Sequence, residues 1–279
     1  MRLEGKIAIV IGAGQSPGEG IGNGRATVLR FAQEGARIRA VDRDLASAEE
    51  TAALARQEDG ECVAFEADVT REATLATAMQ SAVDRWGRID ILHNNVGVSV
   101  GGGDKPIEEL SEEAFDRVSA INLRGTIMAC KHALSIMRRQ RSGAIVNISS
   151  VAAFENSYPL VTYKVTKAGM VAFTQQLALQ NAPYGIRANC ILPGQIRRWR
   201  STRGRAPPTA AAPKSPRSAT QRCRFAVRWG PAGMSRTRRC SSPPTKPISL
   251  PACAADRWRC SGTGRLSIRK PKRKMGLLA

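Results

Sequence analysis

The sequence predicts an α/β fold, a doubly wound parallel sheet with helices on both faces. Short apolar runs of strand length recur along the first 197 residues of the 279-residue chain. Segments with helical periodicity lie between them, so that strands and helices alternate. The first apolar run leads into a glycine-dense loop and then a helix, which is the order found in dinucleotide-binding units.

The first unit begins with residues 6–11, KIAIVI, whose continuous apolar character predicts a strand covered on both faces. A helix is predicted from residue 25 to about 34, where Gly35 ends it. The loop between them contains Gly12, Gly14, Gly18, Gly20, Gly22 and Gly24. Glycines let the backbone approach a pyrophosphate, and a helix N-terminus supplies N–H groups to it. The unit therefore predicts a phosphate-binding loop.

Asp42 follows the second predicted strand, residues 37–41. A carboxylate there can accept hydrogen bonds from both adenosine ribose hydroxyls and repels a 2′-phosphate, which favours NAD over NADP. The neighbouring Arg43 acts in the opposite direction, because a guanidinium can pair with that phosphate. The alternative is that Asp42 is a solvated turn residue before Asp44.

The remaining elements continue the alternation. The predicted strands are residues 61–67, 89–93, 144–148 and 186–192, and the predicted helices are residues 47–58, 73–86, 111–139 and 163–182. Ser111 is the expected N-cap of its helix. Asn122 and Gly125 are unfavourable inside a long helix, so we expect a kink at Asn122 that frees a backbone carbonyl for a water molecule. His93 is expected to be a packed strand residue.

Tyr163 and Lys167 are four residues apart on a predicted helix and therefore share a face. A free phenol titrates near ~10, and a neighbouring ammonium favours its ionised form. Ser150, thirteen residues before Tyr163, could hold a substrate oxygen. The alternative is an ordinary amphipathic helix with a surface lysine and a half-buried tyrosine.

The net charge of +20 is distributed unevenly along the chain, and the change in charge marks a boundary at about residue 198. Residues 1–197 contain 22 basic and 22 acidic side chains, whereas residues 198–279 contain 21 basic side chains and one acid, Asp256. The second segment also holds ten of the fifteen prolines and has no strand or helix period. We expect a domain over residues 1–197 and an irregular, basic Pro/Arg/Ser-rich tail over residues 198–279.

Over residues 1–197 the chain resembles the short-chain dehydrogenase/reductase family, which has a Rossmann fold. Matching motifs occur in the family order: the glycine loop, Asp68-Val69, Asn94-Asn95-Val96-Gly97, Asn122, Ser149-Ser150, Tyr163-x-x-x-Lys167 and Pro193-Gly194. The glycine loop is about six residues longer than the usual G-x-x-x-G-x-G. Six strands are recognisable, and the family's seventh is not.

The resemblance implies a nicotinamide-dependent oxidoreductase acting on a secondary alcohol or ketone. Tyr163 would be the acid/base, Lys167 would lower its pKa and bind the nicotinamide ribose, Ser150 would orient the substrate oxygen, and Asn122 would hold a relay water. Cofactor contacts are expected from Gly12, Gly18, Gly22, Asn23, Gly24, Asp42, Asp68, Val69, Asn95, Gly97, Tyr163, Lys167, Pro193 and Gly194. Helices 112–139 and 163–182 would pair two subunits in a homodimer.

The tail diverges where the family would form a substrate-covering loop and its last strand. Shifted by one reading frame, residues 228–242 can decode as M-G-T-G-W-D-V-A-N-A-A-V-L-F and residues 244–254 as D-E-A-D-F-I-T-G-V-C, which resemble the missing segments. We therefore hypothesise a frameshift near Arg197–Arg198. Sequencing the coding DNA tests this: an intact gene in which the tail's frame is the only open one contradicts it.

Three functional classes follow from these features: an active dehydrogenase, a frameshifted product that binds cofactor without turnover, and a basic variant that binds nucleic acid through residues 270–274. No metal site is expected, because the tail cysteines form no C-x-x-C pair. No signal peptide or membrane span is evident, and the cysteine pattern suits a reduced cytoplasmic protein.

Overall fold

The computed structural model describes residues 1–16, 20–155 and 158–194. Six strands are present: β1 (Ile7–Ile11), β2 (Arg37–Asp42), β3 (Cys62–Glu66), β4 (Ile91–Asn94), β5 (Gly143–Ile148) and β6 (Ile186–Ile191). All pairs are parallel, and the strand order is β3-β2-β1-β4-β5-β6. The order reverses between β1 and β4, and in a doubly wound sheet this switch point opens a crevice at the carboxyl ends of the strands. The predicted fold class is confirmed.

Helices connect the strands and cover both faces of the sheet. They are α1 (Asn23–Gln33), α2 (Leu45–Gln57), α3 (Glu72–Trp86), α4 (Glu112–Ser119), α5 (Gly125–Gln140) and α6 (Val161–Asn181). Ser111 caps α4, since its Oγ accepts a hydrogen bond from the amide of Ala114 at 3.2 Å. Gly35 ends α1 with a φ of +85°, a conformation that favours glycine.

Two hydrophobic cores lie on opposite faces of the sheet, as the continuous apolar strands predict. Ile9 and Ile11 of β1 pack on the face covered by α3 and α5. Ala8 and Val10, which alternate with them, pack on the face covered by α1 and α2. His93 is buried on β4, with its ring edge-on to Phe31, and is therefore a packed strand residue as expected.

Most element boundaries differ from the predictions by one or two residues, and one predicted helix is divided. The helix expected over residues 111–139 is divided by a π-helical turn, Ala120–Arg124, between α4 and α5. The fourth strand begins at Ile91 rather than at residue 89, and the buried Asp90 before it accepts a 2.9 Å hydrogen bond from the amide of Ile7 through its Oδ2. The expected tail, residues 198–279, and the region of a seventh strand lie outside the described residues. Within the described ranges, no helix combines the length and apolar character needed to cross a bilayer.

Candidate active site

Tyr163 and Lys167 lie one turn apart near the start of α6, beside the end of β5. The Nζ atom of Lys167 is 5.6 Å from the centroid of the Tyr163 ring. That Nζ donates a 2.8 Å hydrogen bond to the carbonyl of Ile148, the last residue of β5. The Ser149 hydroxyl donates to the carbonyl of Lys167 at 2.7 Å. These two bonds fasten α6 to the carboxyl end of β5 at the level of the predicted pair.

Ser150 directly follows β5, caps the short turn after it and lies near Tyr163. Its Oγ accepts a hydrogen bond from the amide of Ala152 at 3.1 Å, which begins the 3-10 turn Val151–Ala153. The Ser150 side chain is also near enough to the Tyr163 hydroxyl to lower the pKa of that phenol. The structure therefore brings together the hydroxyl groups of Ser150 and Tyr163, which are thirteen residues apart in the sequence.

The pKa of Tyr163 lies above its ordinary value, and Lys167 is not among the causes of this shift, so the lowering effect of Lys167 stays a prediction. Burial of the phenol is the largest effect and raises the pKa, the nearby Ser150 hydroxyl lowers it, and Tyr158 raises it. Burial also lowers the pKa of Lys167 to about 8. Desolvation of the phenol outweighs any influence of an ammonium that is itself buried and bonded to a backbone carbonyl.

Asn122 lies in the π-helical turn and holds the loop that follows β4. Its Oδ1 accepts a hydrogen bond from the amide of Val98, and its Nδ2 donates to the Val98 carbonyl, both at 2.8 Å. Its backbone carbonyl was expected to be free, but it accepts a 3.0 Å hydrogen bond from the hydroxyl of Thr126. The role of Asn122 in holding a relay water stays a prediction.

Close approach of β1 and α1 explains two of the glycines. A Cβ on Gly24 would lie 1.7 Å from the carbonyl oxygen of Gly12, and no side-chain atom fits at that distance. The same carbonyl accepts a 3.0 Å hydrogen bond from Nδ2 of Asn95. Gly12 itself has a φ of +82°, in the region that favours glycine. The end of β1, the start of α1 and the turn after β4 therefore form one packed unit.

The unusual length of the glycine loop is accommodated by hydrogen bonds to β2 and α2. The amide of Gly14 donates to Oδ2 of Asp42 at 2.8 Å, and the amide of Gln15 donates to Oγ of Ser47 at 2.7 Å. The Gln15 side chain then spans the loop: its Oε1 accepts from the amide of Gly22 at 2.7 Å, and its Nε2 donates to the carbonyl of Gly20 at 3.0 Å. Gly18, a predicted phosphate contact, lies outside the described residues.

The start of α1 fits an anionic group such as a pyrophosphate. Gly22 is the N-cap and supplies no side-chain oxygen, and the first turn contains no acid. Within the described ranges, no hydrogen-bond acceptor pairs with the amides of Asn23, Gly24 and Arg25. Unpaired amides at a helix N-terminus are suited to binding phosphate oxygens. The residues present therefore fit the phosphates of a dinucleotide.

The other predicted cofactor contacts also lie at carboxyl ends of strands. Oδ1 of Asp68, just after β3, accepts hydrogen bonds from the amide and the hydroxyl of Thr70, both at 2.8 Å. Val69 packs against Gly125, where a Cβ would lie 2.8 Å from Val69 Cβ. A Cβ on Gly97 would lie 2.9 Å from Nζ of Lys167. The turn after β4 and the predicted lysine are therefore in direct proximity.

Pro193 and Gly194 follow β6 and adjoin the turn that contains Ser150. The carbonyl of Pro193 accepts a 3.1 Å hydrogen bond from the amide of Val151. Gly194 lies against Val151 and is the last residue that the structure describes. The predicted nicotinamide end of the site is thus joined to the predicted substrate-orienting serine.

The predicted residues form two groups on either side of the topological switch point. Gly12, Gly24, Asp42 and Asp68 lie around the ends of β1, β2 and β3, while Ser150, Tyr163 and Lys167 lie beyond β4. A dinucleotide bound across this crevice would have one half over each group.

Two residues near Tyr163 were missed by sequence reasoning. Asp104 is buried and accepts hydrogen bonds from the amides of Thr162 and Tyr163. Tyr158 has its ring centroid 5.6 Å from that of Tyr163, and its hydroxyl is 3.0 Å from Oγ of Ser99. The one available signal for Asp104 was an acid at the end of a run of three glycines.

The family model described as short chain dehydrogenase matches residues 6–204. The chain belongs to the short-chain dehydrogenase family. Residues 205–279 lie beyond the matched range, and the domain boundary near residue 198 stays a prediction. Membership makes this chain a nicotinamide-dependent oxidoreductase by family, and the Rossmann fold agrees with this.

Individual relatives agree with that family. The chain is 38% identical over 197 residues to levodione reductase of Leifsonia aquatica, covering 70% of this chain and 71% of the relative. It is 37% identical over 209 residues to cyclohexanol dehydrogenase of Rhodococcus sp. strain TK6, covering 70% and 75%. Among solved structures, the NAD+-bound xylitol dehydrogenase is 34% identical, with a TM-score of 0.64 over 70% of this chain and 72% of that one.

Proposed function

We propose that this short-chain dehydrogenase interconverts a secondary alcohol and its ketone with NAD, using Tyr163 as the acid/base. The observation that carries the proposal is the proximity of the Ser150 and Tyr163 side chains beyond β5, with Lys167 one turn away. Relatives that are a levodione reductase and a cyclohexanol dehydrogenase support a carbonyl or secondary alcohol as the reacting group.

The chain's own residues would hold the substrate and move its proton. The Ser150 hydroxyl donates a hydrogen bond to the substrate oxygen and aligns it with Tyr163. The Tyr163 hydroxyl gives its proton to that oxygen in ketone reduction and takes it back in alcohol oxidation. When bound, the nicotinamide supplies or accepts the hydride. Because the pKa of Tyr163 is raised, the phenol is protonated at neutral pH, which suits ketone reduction, and oxidation gains at higher pH.

The carboxylate of Asp42 supports the preference for NAD. It lies at the end of β2, where it anchors the amide of Gly14. A negative charge at this point repels the 2′-phosphate of NADP. The NAD+-bound xylitol dehydrogenase, whose structure this chain resembles, supports the same choice.

The test combines cofactor binding with turnover. Purified protein is titrated with NADH and NADPH by fluorescence, and activity is measured on cyclic and acyclic secondary alcohols and their ketones. We expect tighter binding of NADH and measurable turnover. Turnover with secondary alcohols that persists in Tyr163→Phe would contradict the role of Tyr163, and a preference for NADPH would contradict that of Asp42.

A second candidate is a chain that binds cofactor without turnover. It is favoured by one observation: the aligned region covers about three quarters or less of the relatives' length, and the remaining part of each relative has no aligned counterpart here. The same titration separates the two candidates, because binding without turnover on any alcohol or ketone supports the second.

A homodimer through residues 112–139 and 163–182 remains part of this proposal. Phe115 on α4 and Val165 and Leu179 on α6 expose apolar side chains on these helices. Light scattering after gel filtration gives the mass in solution, and a monomer at micromolar concentration would contradict the pairing. We also place the protein in the reducing cytoplasm, which the free thiols of Cys62, Cys130 and Cys190 support.

A further inference from the structure

The helix that carries Tyr163 has no N-cap side chain of its own. Leu160 occupies the N-cap position of α6 and offers no hydrogen-bond acceptor in its side chain. The first amides of a helix lack partners within it, and a buried start requires an acceptor from elsewhere. Asp104, which precedes α6 by more than fifty residues, supplies that acceptor: Oδ1 accepts from the amide of Thr162 at 3.1 Å, and Oδ2 accepts from the amide of Tyr163 at 2.8 Å.

The environment of Asp104 is almost fully closed. The residue is 2% exposed, and its Oδ1 also accepts a 3.1 Å hydrogen bond from its neighbour's amide, that of Lys105. Within the described ranges, no basic side chain forms an ion pair with it. Its charge is balanced by backbone amides and by the positive end of the α6 dipole, an arrangement that is strong when both groups are shielded from water.

Asp104 also belongs to the loop that borders the site on the β4 side. The carbonyl of Ser99 accepts hydrogen bonds from the amides of Gly102 at 2.8 Å and Asp104 at 3.3 Å, which makes residues 99–104 a compact turn. The Ser99 hydroxyl reaches Tyr158 at 3.0 Å. Asn122 holds the preceding residue, Val98, by two hydrogen bonds. A continuous series of bonds therefore runs from the π-helical turn through this loop to the start of α6.

We propose that Asp104 is a positioning residue that sets the placement of the Tyr163 phenol relative to Ser150 and Lys167. It acts through the backbone amide of Tyr163, and it does not touch substrate or cofactor. The role rests on the proposed function, in which Tyr163 is the acid/base. A shift of about 1 Å in an acid/base group can cost on the order of 100-fold in rate, because proton transfer depends steeply on alignment.

The experiment compares Asp104→Ala and Asp104→Asn with Ser111→Ala in the full chain. Ser111 caps the adjacent helix α4 through one amide, that of Ala114, and has no bond to α6. We expect Asp104→Ala to lower kcat by ~10- to 100-fold, with KM for NAD changed by less than about twofold. Asp104→Asn keeps one carbonyl acceptor and recovers part of the loss. Ser111→Ala lowers the melting temperature but keeps kcat.

Equal kcat values for Asp104→Ala and the wild-type protein would overturn the proposal. A loss of kcat in Ser111→Ala as large as that in Asp104→Ala would also overturn it, because it would show that any lost cap has this effect.

A second readout needs no turnover and separates the two proposals. The phenol of Tyr163 is titrated by ultraviolet difference spectroscopy, with Tyr163→Phe subtracted, and the amide exchange of Thr162 and Tyr163 is followed. Asp104→Ala should displace the titration and accelerate exchange at both amides. If wild type shows no turnover but these shifts occur, the positioning role stands and the proposed reaction fails. An unchanged titration overturns the positioning role.

Discussion

Lys167 donates to the carbonyl of Ile148 at 2.8 Å from a position that is only 2% exposed. Among the described residues, no carboxylate pairs with this ammonium. A buried cation with one neutral acceptor is costly, which is why burial lowers its pKa to about 8. The site thus keeps a lysine whose charge can be removed at mildly alkaline pH.

The first prediction concerns the stability of Lys167→Met. The folded-state pKa of about 8 lies below the ordinary lysine value of 10.5, so between these values the unfolded chain binds more protons and wild-type stability rises with pH. Lys167→Met lacks this gain. Its stability relative to wild type should therefore fall between pH 8 and 10.5, by at most ~3 kcal/mol. Urea unfolding at pH 7, 8.5 and 10 measures the difference, and a constant difference would contradict the buried charge.

The second prediction concerns Tyr163→Phe. Removing the hydroxyl should lower kcat by ~10²- to 10⁴-fold, because the proton donor and acceptor is lost. Binding of NAD should remain within a few-fold, because the phosphate-binding turn is at the other half of the site. Tyr184→Phe is the matched control, since the Tyr184 ring lies under Arg138, away from this site. Comparable losses in both variants would show a general effect of removing a phenol.

The third prediction concerns cofactor choice at Asp42. Asp42→Asn keeps an oxygen for the amide of Gly14 but removes the negative charge. Like charges ~4 Å apart repel by about 1–4 kcal/mol, so the ratio of NADP to NAD affinity should rise by at least ~5-fold. Asp44→Asn is the control, because Asp44 caps α2 and asparagine caps equally well. An unchanged ratio in Asp42→Asn would show that Asp42 acts only on the loop.

The fourth prediction compares two glycine substitutions. Gly24→Ala places a methyl group 1.7 Å from the Gly12 carbonyl, so α1 must move away from β1. We expect a loss of more than ~3 kcal/mol in stability together with loss of dinucleotide binding. Gly101→Ala should have little effect, because a Cβ there meets nothing within 4 Å. Thermal unfolding and cofactor titration measure both variants, and a stable Gly24→Ala protein would contradict this packing.

The strands, helices and the Ser150–Tyr163 pair could be predicted because each depends on local periodicity or on fixed spacing along the chain. The role of Asp104 could not, since its bonds join residues more than fifty positions apart. The same holds for Gln15, whose side chain closes a loop of unusual length. The raised pKa of Tyr163 could not be predicted for another reason: sequence shows which charges are neighbours but not how much water surrounds them.

The position of β6 bears on how this chain behaves at high concentration. Within the described ranges, β6 pairs only with β5, and its last residue, Ile191, is 46% exposed. An uncovered sheet edge presents a row of unpaired amides and carbonyls that can bind the same edge of another molecule. For the described part of the chain, the β6 edge is therefore the expected site of self-association during expression and refolding, and added chaperone or low protein concentration should raise the recovered yield.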